Sequence, residues 1–82
     1  MKYKSKKNEV ILDVRGLECP IPVLRARKLA QSANNGDKIK VICTDPLAEV
    51  DFQHYCKQEK YKYIGCLKEN DQITIEYEIV SN

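Results

Sequence analysis

The segment RGLECPIPVL, residues 15–24, holds the side chain in this sequence best suited to chemistry. Cys19 is followed by Pro20 and Pro22, and a helical pattern begins at once. The first four N–H groups of a helix have no partner inside it, so proline is tolerated there and an electron-rich group at the mouth is favoured. With Pro20 at the first helical position and Pro22 at the third, each proline fixes its own φ and removes one donor. A residue before proline is pushed toward extended geometry, which suits Cys19 as the N-cap. The N–H groups of Ile21 and Val23 are then expected to point at its side chain, and the helix dipole adds about half a positive charge. Both effects favour a thiolate, so Cys19 is expected to ionise more readily than a free cysteine. Arg15 would strengthen this by folding back and Glu18 would oppose it; the sequence does not rank the two. Serine, threonine, aspartate and asparagine are the strong caps, so a cysteine here points to reactivity rather than stability.

The other candidates for chemistry read differently. The chain has four cysteines and one histidine, with no C-x-x-C pair among Cys19, Cys43, Cys56 and Cys66. A structural metal site would need paired ligands, so no metal and no cofactor are expected. Cys43 falls on the apolar side of a strand and Cys56 on the apolar face of a helix, which reads as core. Cys66 lies opposite the side of Tyr63, Gly65 and Leu67, leaving its burial undecided. His54 reads as a surface residue, because nothing aims its helix at Cys19.

Six elements must position these groups. Residues 9–14, EVILDV, alternate as a strand; residues 20–33 form an amphipathic helix; and NNGD at 34–37 ends it, with Gly36 suited to a left-handed exit. Residues 38–43 form a second strand. Thr44 or Asp45 then caps a second helix over 47–59, with Pro46 in its first turn. Residues 62–68 and 72–80 make a hairpin around ENDQ. The nearly pure polar side of the last strand, Thr74, Glu76 and Glu78, implies a sheet with one face open to water. The expected fold is an α+β two-layer sandwich, β-α-β-α-β-β, with a mixed four-stranded sheet and two helices on one face.

With 82 residues, 43% apolar and 32% charged, the chain reads as one domain over 9–82 preceded by a basic tail, residues 1–8. Lys2, Lys4, Lys6 and Lys7 crowd that tail, which has no apolar signal segment. No apolar run approaches the roughly 20 residues that span a bilayer, so the expectation is a cytoplasmic protein with no membrane contact. Arg15, Arg25, Arg27 and Lys28 surround the motif, and of these Arg15, Arg27 and Lys28 are the candidates for docking a partner protein. Basic residues interleaved with aromatics, the mark of an RNA-recognition module, are missing, so direct nucleic-acid binding is not expected. From the residues alone two further readings stay open: a thiol redox or regulatory module bridging Cys19 to another cysteine, and a protein- or RNA-binding domain without thiol chemistry.

Around Cys19 the chain resembles the TusA/SirA-like family of small sulfur carriers. LDVRGLECPIPVLRARK, residues 12–28, carries that family's Cys-Pro-x-Pro motif as Cys19, Pro20, Ile21 and Pro22, led by Leu12, Asp13, Gly16 and Leu17. TDP at 44–46, with Asp51 and Cys56, resembles the family's second-helix start. The resemblance implies a sulfurtransferase in which Cys19 receives sulfane sulfur as a persulfide. A cysteine desulfurase would be the donor and another protein's cysteine the acceptor, in tRNA thiolation or other sulfur metabolism. Pro20 and Pro22 would shape the cysteine's loop, and Arg27 and Lys28 match positions that are often basic in the family.

Overall fold

Five strands and two helices make up the structure, a computed structural model that describes the backbone of residues 2–6 and, in full, residues 9–18 and 21–80. The first strand, β1 (Lys2–Lys6), pairs antiparallel with β2 (Glu9–Asp13), and helix α1 (Ile21–Ala30) follows. Strand β3 (Lys38–Cys43) runs parallel to β2 and leads into α2 (Ala48–Glu59). A hairpin of β4 (Lys62–Glu69) and β5 (Gln72–Glu78) completes the sheet, in the order β1-β2-β3-β5-β4.

The mixed sheet expected from the sequence is present as β2 to β5, and the segment read as a tail adds a fifth strand at its edge. KYKSK alternates with the period of a strand, and only two residues separate Lys6 from Glu9, its partner in the ladder. Such a short connection closes a hairpin at little entropic cost. Its lysine content directed the sequence reading to solvent instead.

Alternation decides which side of the sheet is covered. Val10, Leu12, Ile39, Val41, Cys43, Ile73, Ile75 and Tyr77 are all buried, and register aligns them as rows beneath the helices. Pro22 and Ala26 from α1, with Ala48, Phe52, Tyr55 and Cys56 from α2, fill the second layer. Rings close that layer: Tyr55 meets Phe52 and Tyr77 edge-on at 5.9 and 5.6 Å between centroids. The opposite face carries charges that alternate in sign from strand to strand, Glu9, Lys38, Glu78 and Lys62 in one row. Opposite charges set across neighbouring strands stabilise a solvated face.

One irregularity settles the side on which Cys66 lies. A bulge at Ile64 lets Tyr63 pair with Tyr77 while Gly65 pairs with Glu76, so parity reverses within β4. Tyr63 and Cys66 therefore share the helix-facing side, and both pack against the core half-buried. Simple alternation had set them on opposite sides.

Both helix ends differ from expectation in instructive ways. The first helix stops at Ala30, three residues early, and tightens through Ser32 N–H to the Leu29 carbonyl at 3.1 Å and Ala33 N–H to Ala30 at 3.2 Å. Gly36, with φ +91°, belongs to the following turn, where its N–H donates to the Ile79 carbonyl at 2.8 Å. At the second helix the N-cap is Leu47 without a side-chain cap; Asp45 Oδ1 accepts the Leu47 N–H at 2.9 Å in the turn before it and Thr44 is engaged elsewhere, so neither is the cap that the sequence suggests.

Candidate functional site

The parallel pairing of β2 and β3 brings the starts of both helices to the same end of the sheet, and the β4–β5 turn at Asn70 and Asp71 shares that end. Here the chain between β2 and α1 is held by successive hydrogen bonds. Val14 N–H donates to the Ile42 carbonyl at 2.8 Å, continuing the ladder one residue past β2. Leu17 N–H returns to the Val14 carbonyl at 3.2 Å around Gly16, whose φ of +84° only glycine adopts readily. Gly16 N–H donates to Thr44 Oγ1 at 2.9 Å, tying this loop to the one after β3. Ile21 N–H then donates to the Glu18 carbonyl at 2.8 Å, and α1 begins.

Cys19 and Pro20 lie outside the described residues, and in sequence they fill the interval closed by that last bond. The same bond corrects one expectation: the Ile21 N–H is taken by a carbonyl three residues back and is not aimed at a cap side chain. Val23 carries the other N–H of the first turn, since Pro22 has none. Pro22 is fully buried and Val23 packs against the core, whereas Ile21 is 38% exposed. Pro22 thus anchors the first turn of α1 to the core.

The three cations proposed for docking separate. Arg15 turns onto Asp13, its Nε and Nη2 on that carboxylate at 2.9 and 2.7 Å, which pushes the guanidinium pKa up. Arg27 bonds Glu59 at 3.0 Å and lies 5.2 Å above the Tyr55 ring, clamping α1 to α2. Lys28 is exposed, as is Arg25 beside it. Glu18 is exposed too and borders an open hollow of about 370 Å³ with Gly16, Leu17, Thr44, Asp45 and Pro46.

The three described thiols all have their pKa raised. Cys43 is buried with its Sγ 3.5 Å from the Ile73 carbonyl, and burial pushes its pKa up to about 11. Cys56 is buried beneath α2 and pushed up to about 12 by the same cause. Cys66 is raised by burial and then by Glu49, which ion-pairs with Lys68 at 2.9 Å. Core positions for Cys43 and Cys56 are as the sequence implies, and His54 is exposed on α2. Among the described residues no cluster of histidine, cysteine or acidic side chains is arranged to hold a metal. The residue that sequence reading missed is Thr44, because a threonine before a helix looks like its cap.

Comparison with known proteins follows the same segments. A family model described as "Sulfurtransferase TusA" matches residues 10–79. A protein of Neisseria meningitidis serogroup A bearing a provisional sulfur-carrier name is 35% identical over 68 residues, covering 83% of this chain and 92% of that one. The sulfur carrier protein TusA of Allochromatium vinosum is 45% identical over 47 residues, 57% of this chain and 62% of its own length. The SirA-like protein of Desulfitobacterium hafniense, a solved structure, superposes with a TM-score of 0.74 at 27% identity, covering 87% of this chain and 97% of that one.

Proposed function

The chain belongs to the TusA sulfurtransferase family, and from that premise we propose that it carries sulfane sulfur as a persulfide on Cys19. The donor is a cysteine desulfurase bearing a cysteine persulfide. The Cys19 thiolate attacks the outer sulfur of that persulfide; a new S–S bond forms, the donor's S–S bond breaks, and the donor leaves as a thiolate. In the second half an acceptor protein's thiolate attacks the outer sulfur on Cys19 and expels the Cys19 thiolate. Sulfur moves at constant oxidation state, so neither half needs an oxidant or a cofactor. The acceptor passes the atom onward to products such as thiolated tRNA nucleosides.

The observation that supports this reading most is the division of labour among the four cysteines. Cys43 and Cys56 are buried with strongly raised pKa values, Cys66 is half-buried and raised by burial and Glu49, and the fourth belongs to a motif between a left-handed glycine and a helix start. Positive potential at a helix start stabilises a thiolate, and equally the more acidic persulfide after loading. Pro22 and the turn bonds around residues 14–21 limit the reorganisation required when a partner's active site closes on the sulfur. No described helix is long and apolar enough to cross a membrane. Free thiols at Cys43, Cys56 and Cys66 suit the reducing cytoplasm in which such a relay operates.

The test is to incubate the protein with a desulfurase and cysteine and record its intact mass. A gain of one sulfur atom, reversed by a thiol reductant and absent in Cys19→Ala, is expected. Loading that survives in Cys19→Ala would contradict the assignment.

A further inference from the structure

Thr44 stands at the end of β3 with its backbone fixed on both sides. Cys43 before it is fully buried and hydrogen-bonded to β5. Asp45 after it accepts the Leu47 N–H at 2.9 Å through its carboxylate and the Ala48 N–H at 3.0 Å through its carbonyl, which starts α2. Between these anchors the Thr44 side chain is exposed and makes no helix cap. It reaches a segment 28 residues away in sequence, where its Oγ1 accepts the Gly16 N–H.

Gly16 is a sensitive place to hold. It sits three residues before Cys19, in a backbone conformation that few residues share and that can relax if nothing restrains it. Arg15, Leu17 and Ile21 each bond within the stretch from Asp13 to Ile21, so those bonds shape the loop without locating it on the sheet. Val14, with its N–H on the Ile42 carbonyl at 2.8 Å, holds the start of the loop to the sheet, and Thr44 holds its apex at Gly16. Thr44 also lines three hollows at this end of the molecule, shared with Gly16 and Glu18 on one side and with Asn70 and Gln72 on the other.

We propose that Thr44 is a positioning residue for sulfur transfer: its hydroxyl registers the Gly16 loop against the sheet and thereby fixes where, and in which electrostatic setting, Cys19 meets its partner. The inference rests on Cys19 as the sulfur-bearing residue. Functional groups must be held within about 0.5 Å of productive geometry to work well, and a second layer of hydrogen bonds does the holding. A thiol on a loop released from its tether samples positions away from the helix mouth and loses part of the field that ionises it.

Four proteins test this: the parent, Thr44→Val, Thr44→Ser and Cys19→Ser. Glutathione persulfide serves as donor, so that no docking partner intervenes. Its outer sulfur is attacked by the protein's thiolate, glutathione thiolate leaves, and the rate of sulfur gain is read by mass. Valine keeps the shape of threonine and removes the acceptor; serine keeps the acceptor and removes the methyl. Thr44→Val is expected to load about tenfold more slowly, short of the roughly 10²-fold that a full ångström of misplacement can cost. Its pH profile for Cys19 alkylation is expected to shift upward, and Thr44→Ser is expected to restore both. A merely structural role would move neither the profile nor its rescue. A parental rate and profile in Thr44→Val, or equal impairment in both Thr44 variants, overturns the role of Thr44 and leaves Cys19 untouched. Loading in Cys19→Ser at the parental rate sinks the sulfur site and the role of Thr44 with it. Should Thr44→Val fail to fold, amide exchange at Gly16 in the parent decides: protection supports the tether, and free exchange overturns it.

Discussion

A carrier thiol must ionise near neutral pH while the other thiols of its chain stay silent. Burial achieves the silence here: Cys43 and Cys56 contribute small apolar volume to the core and keep their protons. Cys56→Ser tests that division. A serine hydroxyl at this buried position is expected to cost about 1–3 kcal/mol of stability, read from the urea midpoint, with sulfur loading unchanged. Which cysteines are core was legible because Cys43 and Cys56 follow strand and helix periodicity. Pro22 and Gly16 were legible because their backbone preferences are local. Thr44 was not, since its meaning depends on Gly16, a neighbour that only the fold supplies. The ion pairs of Arg15 and Arg27 were hidden for the same reason: Asp13 lies across a tight turn and Glu59 on another helix.

Among the elements, β4 shows how one residue governs many. Alternation read from sequence assumes an unbroken ladder, and the Ile64 bulge breaks it between Tyr63 and Gly65. Were Ile64 to take a place in the ladder, either Tyr63 or Cys66 would turn to the open face. Deleting Ile64 leaves Tyr63, Gly65 and Cys66 opposite Tyr77, Glu76 and Ile75 with no extra residue between them, so both side chains stay on the helix side and stability in urea unfolding is expected to change by about 1 kcal/mol or less. A loss of about 3 kcal/mol or more, comparable to losing a large core side chain, would show that the bulge itself is needed for packing. The four expected strands and two helices were legible because their periodicity is strong. Residues 2–6 were not, since five residues rich in lysine alternate like a strand yet carry the composition of a tail. The early end of α1 was hidden too, because Ala33 keeps the apolar period after the helical bonds have tightened.

At the scale of the whole molecule, one covered sheet face and one open face leave a thin core in which ionisable groups must stay neutral. Cys43 and Cys56 ionise near 9.0 in an unfolded chain but near 11 and 12 when folded, and Tyr55 moves from 10.0 to about 12. Burial drives Tyr77 upward as well. Raised acidic groups give stability that is complete below the unfolded pKa and declines as pH climbs through the folded one. Stability is accordingly expected to hold to about pH 9 and fall steeply toward pH 12, followed by thermal unfolding. Undiminished stability across that interval would mean that these groups reach water in the folded state.

The same division of thiols offers the most direct test. Native protein is pulsed with iodoacetamide over a series of pH values, quenched, and mapped by peptide mass to each of the four cysteines. Cys19 is expected to label first, with a midpoint below that of free cysteine, while Cys43, Cys56 and Cys66 label only after unfolding or at alkaline pH. Labelling of Cys66 ahead of Cys19, or a Cys19 midpoint no lower than that of free cysteine, would contradict an activated carrier thiol at the start of α1.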